Sequence, residues 1–261
     1  MTLAWWAGLL AIVAYAAAAW PKQARARWPE LALTVGWLAH ALCLALDIFG
    51  VGAALPGARF GFAPALSATV WIALALHSIE SRLFPLPAVR RVLALAGAAV
   101  VLLAAIFPGE SRPHAGAAWL PLHWLLGVVS YGLFAVALMH AAMLDRAERR
   151  LRGRAAPAAP APATLPLMQL ERLTFRFVEA GFIVLSLALL LGASMAPWRW
   201  DHKTVLSLLG WATFAVLIAG RQWRGWRGRQ ATRWIYAGAG LLLLAYVGSR
   251  FVLEVILHRS V

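Results

Sequence analysis

Residues 175–203 read FRFVEAGFIVLSLALLLGASM-APWRWDHK, and residues 204–220 continue TVLSLLGWATFAVLIAG. A helix that crosses a bilayer needs about 20 mostly apolar residues. Two such runs, Phe175–Met195 and Thr204–Gly220, flank a short connection that holds Trp198, Arg199, Trp200, Asp201, His202 and Lys203. Apolar runs joined by a polar, tryptophan-rich turn predict a helical hairpin in a membrane. Trp belongs at headgroup level, with Arg or Lys snorkelling beside it. Such a belt is one reading of the connection. A platform for a flat, amphipathic ligand is the other.

Working outward, six more runs qualify: Leu3–Trp20, Leu31–Gly50, Ala63–Leu83, Val92–Phe107, Trp119–Leu144 and Trp234–Leu257. The expected fold is therefore all-α, a polytopic membrane bundle of about eight transmembrane helices. The composition agrees. The chain is 62% hydrophobic and 13% charged, whereas soluble domains run at about 45–50% and 25%. Too little polar sequence remains for a separate soluble domain, so residues 1–261 read as a single integral membrane domain. A net charge of +14 is on its own the mark of a nucleic-acid partner. The basic residues lie in short loops between apolar runs, however, so no nucleic-acid partner is expected.

Those loops set the orientation. Placing the N-terminus outside puts 18 of the 24 Lys/Arg on the cytoplasmic side, around Lys22–Arg27, Arg82–Arg91, Arg146–Arg176 and Arg221–Arg233. The asymmetry holds in every loop, as the positive-inside rule requires. Both termini and the 196–203 turn then face outward. The first run lacks a basic residue ahead of it and has a basic cluster behind it, which reads as a first span and not a secretory signal. A low-complexity Ala/Pro stretch within 152–168 separates five spans from three and reads as a flexible cytoplasmic linker. The 223–229 stretch, Trp-Arg-Gly-Trp-Arg-Gly-Arg, reads as an interfacial anchor in contact with membrane lipid.

The single cysteine, Cys43, allows no internal disulfide, and no Cys-x-x-Cys-His haem-attachment motif is present. The ionisable residues within spans are more informative, because charge at membrane depth is costly and defaults to function. His40, His77 and His140 fall inside spans; His123, His202 and His258 fall near outer ends. A lone intramembrane His commonly bonds a neighbouring helix. Neutral imidazole is also an iron ligand, and helical haem sites draw His from facing helices. No His-x-x-x-His or Glu-x-x-His pair on one helix and no Cys/His cluster suggests zinc or di-iron. Arg250 and Glu254, four apart, are expected to pair. Asp47, near the outer end of the second run, has no evident partner in the sequence.

With those residues in view, the chain resembles the cytochrome c assembly protein family, the CcsA/CcmC-like haem-handling proteins. Trp198-Arg-Trp200-Asp201-His-Lys203 followed by Trp211 resembles the family's tryptophan-rich motif. Leu122-His123-Trp124 with Ser130-Tyr131 resembles its first outer histidine and the Ser-Tyr that follows. The family implies an outer-face haem platform with axial histidines, and it implies other assembly proteins and apocytochrome c as partners. By position, His123 and His258 would ligate haem iron, with His202 an alternative to His258. His40 is similar to the intramembrane histidine of the short HemX/YpjD-like branch. Trp198 and Trp200 would form the platform and Asp201 is the motif's acid. Arg199 and Lys203 would meet the propionates. His202 stands where the motif has proline, and Ala219 where the family has a histidine; both favour the short branch.

The leading expectation is an inner-membrane, non-enzymatic haem-handling protein supporting cytochrome c biogenesis, with haem as its cofactor. Two alternatives stand beside it. One is a HemX-like membrane regulator or accessory factor of haem biosynthesis acting through the cytoplasmic arginine loops. The other is a cation transporter using Asp47, Glu80 and the buried histidines.

Overall fold

The computed structural model of the chain describes residues 3–20, 28–51, 58–82, 87–112, 119–152, 166–195 and 200–257. Its helices are α1 (Leu3–Ala19), α2 (Trp28–Ile48), α3 (Phe62–Ser81), α4 (Pro87–Ile106), α5 (Leu120–Arg152), α6 (Leu167–Met195), α7 (His202–Arg224) and α8 (Gly228–Leu243). α8 continues through π-helical turns at Leu244–Gly248 and Val252–Ile256, separated by the short helix Ser249–Phe251. Each expected span is a helix. Seven are long and apolar enough to cross a membrane. α1, with 17 residues, is about 26 Å long at 1.5 Å per residue, just short of the roughly 30 Å hydrocarbon core. The polytopic membrane bundle is thus the observed fold. A pair of three-residue strands, β1 (Ala58–Phe60) and β2 (Glu110–Arg112), adds to it; they run antiparallel with Arg59 opposite Ser111.

Several helices bury a stripe of small residues and expose large ones beside it. α1 buries Ala7, Gly8, Ala11, Ala14 and Ala18, while Leu9, Leu10 and Val13 are exposed. In α6, Gly181 and Ala188 face inward while Ile183, Leu187 and Leu190 face out. This pattern suits a lipid solvent. Lipid tails are as apolar as Leu, so large side chains gain nothing by burial, and close backbone packing becomes the attraction.

The chain divides into two compact units. The first comprises residues 1–117 and 247–261. In it α1 packs against α2 and α4, and α3 against α4 and α2. Tyr15, fully buried, lies between α2 and α4. A Cβ on Gly36 would come within 2.7 Å of its ring, and one on Gly97 within 2.9 Å. Its hydroxyl meets His40 Nδ1 at 3.2 Å, and His40 Nε2 meets Ser67 Oγ at 2.8 Å. Trp37 and Trp71 stack at 4.7 Å, each indole N–H donating to the other's carbonyl at 3.1 Å. These bonds tie α1, α2 and α3 where water cannot supply partners.

Arg59 of β1 pairs with Asp47 at 3.2 Å, giving that aspartate the partner the sequence did not reveal. Glu254 accepts the Phe62 N–H at 3.4 Å, at the start of α3. The expected Arg250–Glu254 contact is not the one made. Glu254 lies in a π-helical turn, where i→i+5 bonding shifts the faces that a four-residue spacing would align.

The second unit, residues 118–246, packs α5 on α6 and α8, and α7 on α6 and α8. Its core holds Phe134 stacked on Phe214 at 4.0 Å, with Phe175, Val178, Leu217 and Ile235 around them. The Ala/Pro stretch joins α5 to α6 inside this unit and is not a boundary between units; its residues 153–165 lie outside the described residues. In the expected interfacial anchor, Trp223 is 83% exposed. Trp226 instead turns inward, stacked on Trp234 at 5.5 Å and closing over Gly220.

Candidate functional site: His123 and the turn before α7

His123 sits in the first turn of α5, half-buried against α6. Its ring lies beside Gly192, where a Cβ would come within 2.8 Å of Cε1. Nδ1 is 3.0 Å from the Ala188 carbonyl oxygen. A carbonyl only accepts, so Nδ1 carries the hydrogen and donates it. The neutral ring then holds its lone pair on Nε2. A second hydrogen bond that fixes the tautomer in this way is what orients ligating histidines at metal sites. Sequence reasoning found His123 but missed the Gly192 notch and the Ala188 carbonyl. A glycine within an apolar helix was the available signal, and alone it is a weak one.

The turn before α7 divides by role. Asp201 is the N-cap of α7: its Oδ1 accepts the Thr204 N–H at 2.8 Å. That bond holds the carboxyl below the usual carboxylate range, helped by the nearby Lys203 and His202 charges against slight burial. Removing the cap in Asp201→Ala should cost about 1 kcal/mol, read as a lowered midpoint of thermal unfolding in detergent. A lowered folded-state pKa means the stabilisation is present above the unfolded carboxylate range and is lost as pH falls through the folded value. The variant should therefore lose less stability than wild type on acidification, and Asp201→Asn, also a good cap, should hold its stability through that range.

Trp200 is 74% exposed, and His202 is exposed beside it in the first turn of α7. The Lys203 ammonium lies 5.3 Å from the Tyr246 ring centroid. Tyr246 belongs to the π-helical turn after α8, and just before that turn the Leu242 carbonyl accepts the Tyr131 hydroxyl at 2.8 Å. π turns recur at functional sites. Trp211, the last tryptophan of the motif, is structural: its indole donates to Ser186 at 2.8 Å and stacks on Phe182 at 5.5 Å. Trp198, Arg199 and His258 lie outside the described residues.

The deeper histidines are placed differently. His40 is fully buried with both ring nitrogens engaged by Tyr15 and Ser67, which makes it a helix-to-helix tie in this conformation. His77 and His140 are buried too, His140 against Phe177 at 5.4 Å. Among the described residues, no group of three or more His, Cys, Asp or Glu comes together to hold a metal ion. The cation-transporter reading draws no support from their arrangement.

Comparison with known proteins follows the same line. The chain matches the family model described as cytochrome C assembly protein over residues 37–257. The inner membrane protein YpjD of Escherichia coli (strain K12) is 32% identical over 159 residues, 59% of this chain and 60% of that protein. A protein of Azospirillum brasilense described as an uncharacterized 28.8 kDa protein is 31% identical over 155 residues, 56% of each chain. The cytochrome c biogenesis protein CcsA of Prochlorococcus marinus (strain NATL1A) is 33% identical over 86 residues, 31% of this chain and 27% of that one. The chain thus spans less than two thirds of the length of these curated relatives. No solved structure matches. The long apolar helices and the inner-membrane relative make this a multi-pass protein of the bacterial inner membrane. The family match runs from the middle of α2 to the end of the last helix, through His123 and the turn before α7, and the chain belongs to the cytochrome C assembly protein family.

Proposed function

We propose that this protein holds haem at the outer face of the inner membrane and presents it to partners during cytochrome c biogenesis. One observation carries the reading. The His123 tautomer set by Ala188 leaves Nε2 as a lone-pair donor on a ring half-buried beside α6. Neutral imidazole is the usual histidine ligand of haem iron. In the turn before α7, the exposed Trp200 offers an aromatic face to a flat macrocycle. Lys203 is a cation that can leave the Tyr246 face to pair with a propionate. Trp198 and Arg199 extend the same set by sequence. The candidates for the opposite ligand, again by sequence, are His258 and His202. Asp201 sets the start of α7 through its N-cap.

Bound haem would supply a redox-active iron and a covalent-attachment substrate; this chain's part is to ligate, orient and release it. That is binding and transfer and not catalysis, with apocytochrome c and other assembly proteins as the receiving partners. Detergent-purified protein reconstituted with haem should show a Soret band. His123→Ala should weaken haem affinity at least tenfold, while His77→Ala, remote in sequence from the site, should keep the band. A wild type without a Soret band, whose haem titration matches that of His123→Ala, overturns the proposal.

A further inference from the structure

We infer that the second unit carries a binding site for the phosphodiester headgroup of an anionic phospholipid, formed by Arg172, Arg221 and Arg227. These residues, with Met168 and Glu171, line a small open cleft of about 110 Å³ between the start of α6 and the end of α7. By the loop-charge orientation this is the cytoplasmic edge of the membrane.

Arg221 is already fixed in place. Its guanidinium carbon stands 3.4 Å from the Phe175 ring centroid, and Glu171 lies 3.9 Å away. That separation is too long for a hydrogen bond, so the guanidinium keeps donors for another acceptor. Glu171 and the nearby Glu179 offset two of the three positive charges and leave the cleft cationic. Arg172 and Arg227 are exposed at its rim.

Size and surroundings select the ligand. Cofactor and drug-sized sites occupy about 300–1,000 Å³, so this cleft is too small for a macrocycle or a whole nucleotide. It suits one anionic headgroup. Guanidinium forks match phosphate oxygens bidentately. Met168, part of the lining, is 75% exposed, and Trp223 is 83% exposed at the same end of α7. Trp at this level marks the headgroup zone, where an acyl chain would cover Met168. A soluble anion would leave it uncovered. Basic pockets between transmembrane helices on the cytoplasmic side are a recurrent form of acidic-lipid recognition.

The test uses the full chain in detergent, delipidated and then offered phosphatidylglycerol, phosphatidylcholine or inorganic phosphate, with bound lipid counted by native mass spectrometry. Wild type should retain phosphatidylglycerol at least tenfold over phosphatidylcholine. The double variant Arg172→Gln/Arg227→Gln changes only exposed side chains and should bind the two lipids alike, with unchanged helicity and elution volume. Equal retention of both lipids by wild type overturns the site. So does a double variant that keeps the full preference. Displacement of phosphatidylglycerol by millimolar inorganic phosphate overturns the lipid assignment in favour of a soluble anion.

Discussion

On the proposed haem role, Gly192→Ala is expected to abolish haem binding while leaving the fold intact. The new methyl carbon would sit 2.8 Å from His123 Cε1, 3.3 Å from Nδ1 and 3.7 Å from Nε2. The first distance is too short to persist, so the ring must swing off α6. The Nδ1–H···O bond to Ala188, 3.0 Å long, then stretches or breaks. With it goes the device that sets both tautomer and ring direction. Loss of such a supporting bond typically costs 10–100-fold in metal affinity. The backbone effect has the opposite sign: Gly to Ala in a helix interior gains about 0.8–1 kcal/mol. Thermal stability should therefore hold or fall only slightly as the Soret band collapses. Gly127→Ala is the control, because nothing lies within 4 Å of a Cβ there, and it should bind haem as wild type does. If Gly192→Ala also binds as wild type does, the packed orientation of His123 is not what makes it a ligand.

That notch shows where the sequence stopped being readable. The spans were legible because a bilayer demands long apolar runs, and every run emerged as a helix. The helix ends were not. α5 runs to Arg152 and α6 starts at Leu167, well past the apolar limits at Leu144 and Phe175. Hydropathy marks the edge of the hydrocarbon, whereas a helix continues as long as its backbone bonds are satisfied. Past that edge Asp145 accepts from Thr232 at 2.8 Å and Tyr236 at 2.9 Å, which ties the extension of α5 to α8.

Residue types at the candidate site were legible, and pairings were not. His123, Trp200, Asp201 and Lys203 stand out as polar or aromatic groups at a membrane edge. Which ring nitrogen carries the hydrogen depends on a carbonyl 65 residues away. Asp201 illustrates the reverse. A motif acid reads as a ligand-facing group, yet Asp-x-x-Thr at a helix start is also an N-cap, and the 2.8 Å bond to Thr204 assigns it there. His40 was readable as a buried polar residue in need of a partner, but a spacing of 25 residues to Tyr15 carries no periodic signal.

The largest loss of stability is expected at Tyr15. Its ring has no exposed surface and fills the space left by the missing side chains of Gly36 and Gly97. Tyr15→Ala would empty that space and strip His40 Nδ1 of its partner. In soluble cores, truncating a large aromatic costs about 3–5 kcal/mol. Here the hydrophobic transfer part is muted, since lipid is as apolar as the interior. What remains is lost packing on two helix backbones and an orphaned imidazole nitrogen, the latter worth about 1–3 kcal/mol. A total near 3 kcal/mol is expected, measured by denaturant titration in mixed micelles. Tyr15→Phe separates the two parts: it keeps the ring between the glycines and removes only the hydroxyl, so its cost should be about 1 kcal/mol. Gly36→Val attacks the same contact from the other side. Its Cβ would meet three Tyr15 ring carbons at 2.7, 2.9 and 3.2 Å, and Gly97 behind the ring blocks retreat. Overpacking of this kind costs about 1–3 kcal/mol. Combining Tyr15→Ala with Gly36→Val should recover part of that cost, because the valine then fills the vacated space. A double variant as unstable as the sum of the two singles would show that the ring and the glycine do not share one contact, and that α1 is held by its alanine stripe instead.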